Sequence, residues 1–243
     1  YTRNPDPADR LARSTNSDIL LASTLPGADG KLPGALILTA DNPAWDGTPR
    51  YSPDGKYIAY RRQRQPGYES DRFTLMLYDR KSGQRRELTP AFDNWVTDIA
   101  WLPDSTGIVF KADVEGRTPL FVIGLDGGAP REAARFAQID EYEITPDGKA
   151  AIVVRRSVAQ PAEIWRLDLA GSAAPQRLTT HNAALEAEVD IRPVEELWIP
   201  GADGKKVHTF LVKPHGFDPA RKYPLVVNVH GGPQMQWSDS FRG

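Results

Sequence analysis

The same four-residue turn occurs three times in this chain of 243 residues. Its copies are Ser52-Pro53-Asp54-Gly55, Leu102-Pro103-Asp104-Ser105 and Thr145-Pro146-Asp147-Gly148, whose prolines lie 50 and then 43 residues apart. Proline presets the backbone angle φ for a turn, and Asp and Gly accept the tight or left-handed positions that follow it. A turn with the same chemistry at a near-constant spacing indicates a repeated unit of structure.

The segments between the turns repeat as well. A short run of β-forming residues follows each turn, at 57–60, 108–110 and 151–154, and a second run follows at 75–79, 120–123 and 164–168. A Leu-Thr pair closes the unit at 38–39, 88–89 and 178–179, while the middle unit has Glu132-Ala133 instead. Units of this length with fixed turns predict four-stranded β-propeller blades. The alternative is an antiparallel sandwich. It is disfavoured because the turn, the strand runs and the closing Leu-Thr pair recur in the same order.

The repeat also predicts how the chain is divided. Residues 1–182 are expected to hold the end of one blade, at 14–39, followed by three full blades. Three blades are too few to close a ring, so we expect the chain to be a part of a longer protein. Residues 183–194 carry no blade turn and are interpreted as the connection to a second domain, at 195–243.

The second domain begins like an α/β-hydrolase. Residues 195–200 and 206–214 flank an Asp203-Gly204 turn and predict a hairpin. Residues 225–229 are apolar, predict a third strand, and lead into His230-Gly231-Gly232-Pro233. In α/β-hydrolases the loop after the third strand supplies a backbone N–H to the oxyanion hole.

We therefore predict that Gly232 is the oxyanion donor, with Gly231 and His230 shaping its loop. The alternative is an ordinary turn after a strand. No serine in the chain has a glycine two positions before it, so the Gly-x-Ser-x-Gly nucleophile elbow is absent from the sequence. His230 is not assigned as a catalytic base, because the histidine of α/β-hydrolases follows the nucleophile in chain order.

Blades built on Ser-Pro-Asp-Gly, then a hairpin, then Pro-Leu-Val-Val-x-Val-His-Gly-Gly-Pro, resemble the prolyl oligopeptidase family of serine peptidases. Residues 64–73 and 231–234 resemble its acylaminoacyl-peptidase and bacterial dipeptidyl-peptidase members most. The resemblance implies a propeller that caps an α/β-hydrolase domain, with a Ser-Asp-His triad between them. All three triad residues are expected beyond Gly243, so no catalytic residue is assigned within the chain. The implied activity is that of an exopeptidase, dipeptidyl or acylaminoacyl, acting on short peptides.

Residues 61–72 form the longest predicted loop between the second and third strands of a blade. An exopeptidase must recognise a free ammonium group, and a carboxylate at hydrogen-bond distance can do so. Glu69 and Asp71 are the candidates for binding the substrate N-terminus, with Tyr68 as an apolar wall. The alternative is a solvated surface loop whose charges pair with one another.

Composition argues against several other classes of protein. A net charge of −2 gives no general attraction to nucleic acid or to anionic membranes, and no apolar run reaches the ~20 residues that span a bilayer. The chain has no cysteine, and its histidines lack the spacing of metal ligands, so neither a metal nor a cofactor is expected. We expect a soluble protein of the cytoplasm or periplasm. The sequence leaves open whether the protein forms a homo-oligomer. The competing function is a non-enzymatic propeller that binds or scaffolds partners.

Overall fold

The computed structural model describes residues 1–232 and 234–241. Pro233 of the predicted oxyanion loop and Gly243 lie outside the described residues. The chain groups into two compact units, which are Tyr1–Ala112 with Phe121–Arg131, and Asp113–Leu120 with Glu132–Gly243. The two units are defined by which residues pack against one another. They do not test the domain boundaries inferred from the repeat, which stay a prediction.

Strands make up most of the regular structure of the described residues. In chain order they are β1 (Thr2–Arg3), β2 (Asp18–Leu21), β3 (Leu36–Ile37), β4 (Asp46–Tyr51), β5 (Tyr57–Arg62), β6 (Thr74–Asp79), β7 (Arg85–Glu87), β8 (Val96–Trp101), β9 (Gly107–Ala112), β10 (Leu120–Gly124), β11 (Arg131–Ala134), β12 (Gln138–Ile144), β13 (Ala150–Ser157), β14 (Gln160–Asp168), β15 (Gln176–Arg177), β16 (Val194–Pro200) and β17 (Lys206–Val212). One short α-helix, α1 (Ala183–Glu188), lies in the segment interpreted as the connection.

The strands pair in chain order, as blades require. Three four-stranded sheets contain β4 to β7, β8 to β11 and β12 to β15, and β1, β2 and β3 form a smaller sheet before them. All six predicted strand runs lie inside these sheets, which confirms a mainly β fold with three consecutive blades. The contribution of β1 to the first, incomplete sheet was not anticipated from the sequence, because two residues are too few to show a pattern.

The three Pro-Asp turns have the same hydrogen bonds. Each joins the first and second strands of its blade, and its first residue donates its N–H to the carbonyl five positions on: Ser52 to Tyr57 (3.0 Å), Leu102 to Gly107 (2.9 Å) and Thr145 to Ala150 (2.9 Å). The turn aspartate accepts the N–H two residues later, at 3.0–3.1 Å in all three copies. The fourth position is left-handed, with φ of 70°, 62° and 68° at Gly55, Ser105 and Gly148.

The Leu-Thr pairs close the blades through the threonine hydroxyl. Each threonine lies just past the short last strand of its sheet, and its hydroxyl accepts a hydrogen bond from a backbone N–H of the neighbouring strand. The bonds are Thr39 from Ile19 (3.0 Å), Thr89 from Leu75 (2.9 Å) and Thr179 from Ile164 (2.9 Å). A buried N–H left without an acceptor is costly, so this side chain replaces a missing strand partner. The middle blade, with Ala133 in that position, lacks the hydroxyl.

Each unit has its own apolar core. In the first unit Phe92, Phe110 and Phe121 pack with ring centroids 5.0–5.5 Å apart. In the second unit Ile139 and Leu167 are essentially fully buried. The central strands β5, β6 and β9 are buried along consecutive residues, as expected for strands covered on both faces, whereas β12 and β14 alternate between buried and more exposed residues.

The C-terminal part of the chain agrees with the sequence in one element and differs in another. The hairpin is confirmed as β16 and β17, joined through Asp203 and Gly204, both left-handed. The predicted third strand at 225–229 is wrong for the described residues, since it pairs with no other strand and Val226 is 88% exposed. A strand needs a neighbouring backbone for its N–H and carbonyl groups, and β16 and β17 pair only with each other here.

A carboxyl group is buried at the start of β4. Asp46 is fully buried, and one of its oxygens accepts a hydrogen bond from the Asn42 amide at 2.7 Å. Its other oxygen has no partner among the described residues. Burial raises the pKa of Asp46 to about 7, against the opposing effects of the Asn42 hydrogen bond and the Arg62 charge.

No helix among the described residues is long and apolar enough to cross a bilayer.

The repeated turn gives a first prediction. Gly55→Ala should lower stability by about 1–2 kcal/mol, because its φ of 70° is left-handed and an added Cβ is strained there whatever the space. For a chain of this size that corresponds to a fall in Tm of about 2–4 °C per kcal/mol, measured by circular dichroism. Gly124→Ala is the matched control, since that glycine is not left-handed and a Cβ would meet open space. Equal Tm values for the two variants would contradict the strain argument.

The buried carboxyl gives a second prediction. The raised pKa means that the folded state keeps the Asp46 proton above pH 4, where the unfolded chain has lost it. The stabilisation is therefore complete at low pH and is lost as the pH rises to about 7, by at most about 1.4 kcal/mol per pH unit. Urea midpoints between pH 4 and 7 should show a steeper fall for the wild type than for Asp46→Asn. Parallel pH profiles would contradict the prediction.

Candidate active site

The loop between β5 and β6 is fixed at both ends by one buried side chain. Gln63 donates two hydrogen bonds from its amide, to the carbonyls of Glu69 (3.1 Å) and Asp71 (2.7 Å). Its own N–H donates to the Trp45 carbonyl at 2.8 Å. Arg61 and Arg62, counted in the loop from the sequence, are the last residues of β5. The connection is still the longest between the second and third strands of the three blades, and Gln63 anchors it to Trp45, the residue before β4.

The two candidate carboxylates of this loop have different surroundings. Asp71 accepts backbone hydrogen bonds from Arg64 (2.5 Å), Gln65 (2.7 Å) and Arg72 (2.9 Å). Its carboxylate therefore holds the two ends of the loop together. Glu69 is exposed, and its carboxylate makes no hydrogen bond or ion pair to a described residue. Of these two loop carboxylates, the one of Glu69 is available to a ligand.

Glu69 lines a cavity of about 350 Å³ in the first unit. The other walls are the run 14–17 together with Trp45, Gln63 and Phe73. Asp71 and Tyr68 are not among the lining residues, and Tyr68 is 48% exposed. The structure thus brings together one predicted residue, Glu69, with a set that sequence reasoning missed. Trp45 was given no role from the sequence, because nothing in its neighbourhood in the sequence marks it as a cavity wall.

The apolar wall is an aromatic pair supported by a guanidinium. Trp45 and Phe73 pack edge to face with ring centroids 5.0 Å apart, and the Arg61 guanidinium lies 5.3 Å and 4.9 Å from their ring centres. Arg61 is itself held by a hydrogen bond to Thr48 at 3.0 Å, and burial lowers the pKa of this arginine. Cation–π contacts of this kind stabilise the orientation of the rings.

Gly47 makes room for the Trp45 ring. A Cβ at this position would lie 2.4 Å from Cζ2 of Trp45, a separation that real Cβ atoms do not show. The backbone is irregular here, with a shift in register between Gly47 and Arg50 and a left-handed Thr48. Bulges of this kind redirect side chains and are common beside active sites.

The polar wall is the run Ser14-Thr15-Asn16-Ser17, just before β2. Thr15 accepts a hydrogen bond from the Gly67 N–H at 2.9 Å, and the Ser17 carbonyl accepts one from the Asp46 N–H at 2.8 Å. These bonds tie the run to the β5–β6 loop on one side and to β4 on the other. Sequence reasoning placed this run at the start of the incomplete blade and gave it no role.

The predicted oxyanion loop lies in the second unit and is exposed. His230 Nδ1 lies 2.9 Å from the carbonyl oxygen of Gly231. Gly232 has a φ of 142°, and a Cβ there would come within 2.8 Å of Met235 Cγ, so this position requires glycine. The N–H groups of Gly231 and Gly232 donate to no described residue. Both are thus available to an acceptor outside the described chain.

The residues that follow the loop are fixed firmly within the same unit. Gln236 accepts a hydrogen bond from the Gly116 N–H at 2.7 Å and donates one to the Arg117 carbonyl at 3.1 Å. Asp239 donates its N–H to the Gly116 carbonyl at 2.8 Å and accepts the Val158 N–H at 2.8 Å. This anchorage joins residues about 80 to 120 positions apart in sequence, which is why the sequence gave no sign of it.

Among the described residues, no group of three or more histidine, aspartate or glutamate side chains is arranged to hold a metal ion.

Comparison with known proteins identifies relatives over most of the chain. No protein-family model matches it. Dipeptidyl-peptidase 5 of Porphyromonas gingivalis is 33% identical over 231 residues, covering 94% of this chain and 33% of the relative. Dipeptidyl-peptidase 5 of Schizosaccharomyces pombe is 31% identical, covering 80% of this chain and 28% of the relative.

A solved structure shows the same fold. Acylaminoacyl peptidase of Pyrococcus horikoshii superposes with a TM-score of 0.71 at 20% identity, over 93% of this chain and 32% of that one. The chain spans about a third of the length of the curated relatives it matches. The resemblance to the prolyl oligopeptidase family that was predicted from the blades and the His-Gly-Gly-Pro loop is confirmed.

Proposed function

We propose that this chain is part of a serine exopeptidase that removes a short unit from the free N-terminus of peptides. The observation that carries the proposal is that Glu69, whose carboxylate is bonded to no described residue, lines a cavity walled by Trp45 and Phe73. The names of the relatives, which are peptidases, support the class of reaction. The Ser-Asp-His triad belongs, in this proposal, to sequence of the whole protein outside these 243 residues.

The chemistry of the cavity fits an N-terminal residue. The ammonium group of a peptide carries a full positive charge and three N–H donors, and Glu69 offers a carboxylate free of other bonds. A charge-assisted hydrogen bond of this kind contributes about 1.5–3 kcal/mol. Trp45 and Phe73 offer an apolar surface to the side chain beside that ammonium. An endopeptidase would have no use for an acceptor of this kind.

Gly232 is proposed to donate its N–H to the oxyanion of the tetrahedral intermediate. Its left-handed φ turns the backbone so that the N–H is not used within the described chain, and Gly231 and His230 set the path of the loop. Preorganised backbone donors are among the largest contributions to acyl-transfer catalysis. A propeller that only binds partners would have no reason to carry this loop, so the peptidase is favoured over the scaffold.

The two acidic residues of the loop should behave differently when neutralised in the whole protein. Glu69→Gln should lower kcat/KM about ten- to a hundred-fold for substrates with a free N-terminus, because it loses the charge-assisted bond. N-acylated analogues of the same substrates, which lack the ammonium, should be affected far less.

Asp71→Asn is the matched control in the same loop. Its carboxylate accepts three backbone N–H groups, so its loss should loosen the loop and slow free and acylated substrates alike. Steady-state kinetics on both substrate series test this pair of expectations. Equal losses on the two series for Glu69→Gln would reduce Glu69 to a surface charge.

Gly232→Ala should lower kcat about a hundred-fold in the whole protein, with a smaller effect on KM. The added Cβ is incompatible with the φ of 142° and with Met235, so the N–H is moved from its position. Gly231→Ala should cost less, since a Cβ at Gly231 meets nothing within 4 Å. Initial-rate kinetics measure both, and a Gly232→Ala enzyme with normal kcat would exclude Gly232 as the donor.

A further inference from the structure

The segment that follows the proposed oxyanion loop is bonded to a tight turn of the second unit. Residues 113–119 connect β9 to β10 and belong to that unit. Val114 and Arg117 exchange two backbone hydrogen bonds, of 2.9 Å and 3.0 Å, around Glu115 and Gly116, whose φ values are 50° and 69°. Two left-handed central residues are typical of a type I′ turn. The paired hydrogen bonds and the turn geometry together fix the position of Gly116.

Gly116 uses both of its backbone polar groups on the segment after the loop. Its N–H donates to the Gln236 side-chain oxygen at 2.7 Å, and its carbonyl accepts the N–H of Asp239 at 2.8 Å. A Cβ at this position would lie 2.4 Å from Cζ of Phe210 and 3.2 Å from the carbonyl oxygen of Trp237. The close approach of the turn to this segment therefore requires glycine.

Gln236 is the first fixed residue after Gly232. Its amide donates to the carbonyl of Arg117 at 3.1 Å and its oxygen accepts an N–H of the turn, so one side chain pairs with two successive residues of the turn. The described residues from 231 to 235 are exposed, whereas 236–241 are partly or fully buried. Burial and hydrogen bonding thus begin at the same residue.

The constraint at Gln236 reaches Gly232 because the chain between them is short and closely packed. Four peptide units span at most about 14 Å. A Cβ at Gly232 would come within 2.8 Å of Met235 Cγ and 3.1 Å of the Gln234 nitrogen. On the other side, residues 225–231 make no backbone hydrogen bond to another described segment. Within the described chain, the position of the Gly232 N–H is therefore set from its C-terminal side.

We propose that Gln236 is a positioning residue, which acts through Gly232 by fixing where the oxyanion donor lies. This rests on the proposed function and adds to it the means by which the donor is preorganised. A displacement of about 1 Å is enough to lower a rate about a hundred-fold. The donor acts on the oxyanion of the tetrahedral intermediate, so its displacement lowers kcat and leaves substrate binding nearly unchanged.

The test is steady-state kinetics of the whole protein with a dipeptidyl p-nitroanilide. Gln236→Ala should lower kcat about ten-fold and change KM less than about two-fold, because both side-chain bonds to the turn are lost. A peptide aldehyde, whose hemiacetal oxygen occupies the oxyanion position, should bind about ten-fold more weakly. An analogue with a methylene in place of the reacting carbonyl forms no oxyanion and should keep its affinity.

Gln176→Ala is the matched control for this substitution. Gln176 is an exposed glutamine of β15 in the same unit, and its replacement should leave kcat, KM and both affinities unchanged.

A double-mutant cycle tests whether Gln236 acts through Gly232. In the Gly232→Ala enzyme the donor is already displaced, so adding Gln236→Ala should lower kcat less than about two-fold further. A general loss of stability would instead lower kcat by the same factor in both backgrounds.

Asp239 gives an independent check, because its acceptor oxygen can be kept or removed. Its carboxylate accepts the Val158 N–H at 2.8 Å, which attaches the same segment to the β13–β14 turn. Asp239→Ala should lower kcat about ten-fold by freeing the segment. Asp239→Asn keeps an oxygen for this bond and should lose far less, and equal losses for the two variants would contradict positioning by this bond.

The outcomes separate this inference from the proposal beneath it. A normal kcat for Gln236→Ala, or the same loss with and without Gly232, would overturn the role of Gln236. Equal weakening of the aldehyde and the methylene analogue would overturn it too, because the loss would then lie in substrate binding. In these cases a lowered kcat for Gly232→Ala leaves the proposed donor standing. A normal kcat for Gly232→Ala would remove both.

Discussion

Short strands leave backbone N–H groups unpaired at their ends, and in this chain polar side chains supply the missing acceptors. Threonine hydroxyls do so past the last strand of a blade, and turn aspartates do so between the first two strands. Polar side chains do the same in the long β5–β6 loop. The Asp71 carboxylate accepts hydrogen bonds from backbone N–H groups, and the Gln63 amide donates to backbone carbonyls. In the candidate site, Asp71 is occupied in closing the loop, whereas the Glu69 carboxylate is bonded to no described residue.

The parts of the fold that the sequence predicted are those governed by neighbours in the chain. Turn residues, the strands beside them and the β16–β17 hairpin follow from local chemistry, which a single sequence displays. The reading of 225–229 as a strand failed because a strand also depends on a partner, and apolar composition carries no information about one. The φ of 142° explains why residue 232 is a glycine, and the oxyanion role predicted for it stays a prediction.

The candidate site was predicted less completely, because its residues come from segments that are far apart in the sequence. Its walls come from residues 14–17, from Trp45 just before β4 and from the β5–β6 loop, segments separated by about 20 to 50 residues. Glu69 and Asp71 are chemically alike and two positions apart, so no pattern could assign one to the ligand and the other to the loop. Tyr68 was chosen as a wall because it is the nearest aromatic residue in sequence, whereas Trp45 and Phe73 line the cavity.

Trp45 and Gly47 are two residues apart, yet they act as one steric unit. The indole occupies the space that any side chain at 47 would need, so the size of the wall and the identity of residue 47 cannot vary independently. Exchanging the indole for a smaller ring would both enlarge the pocket and relax the requirement for glycine. Attempts to retune this pocket should therefore treat positions 45 and 47 as a pair, because their substitutions will be non-additive and single changes will misreport the tolerance of either site.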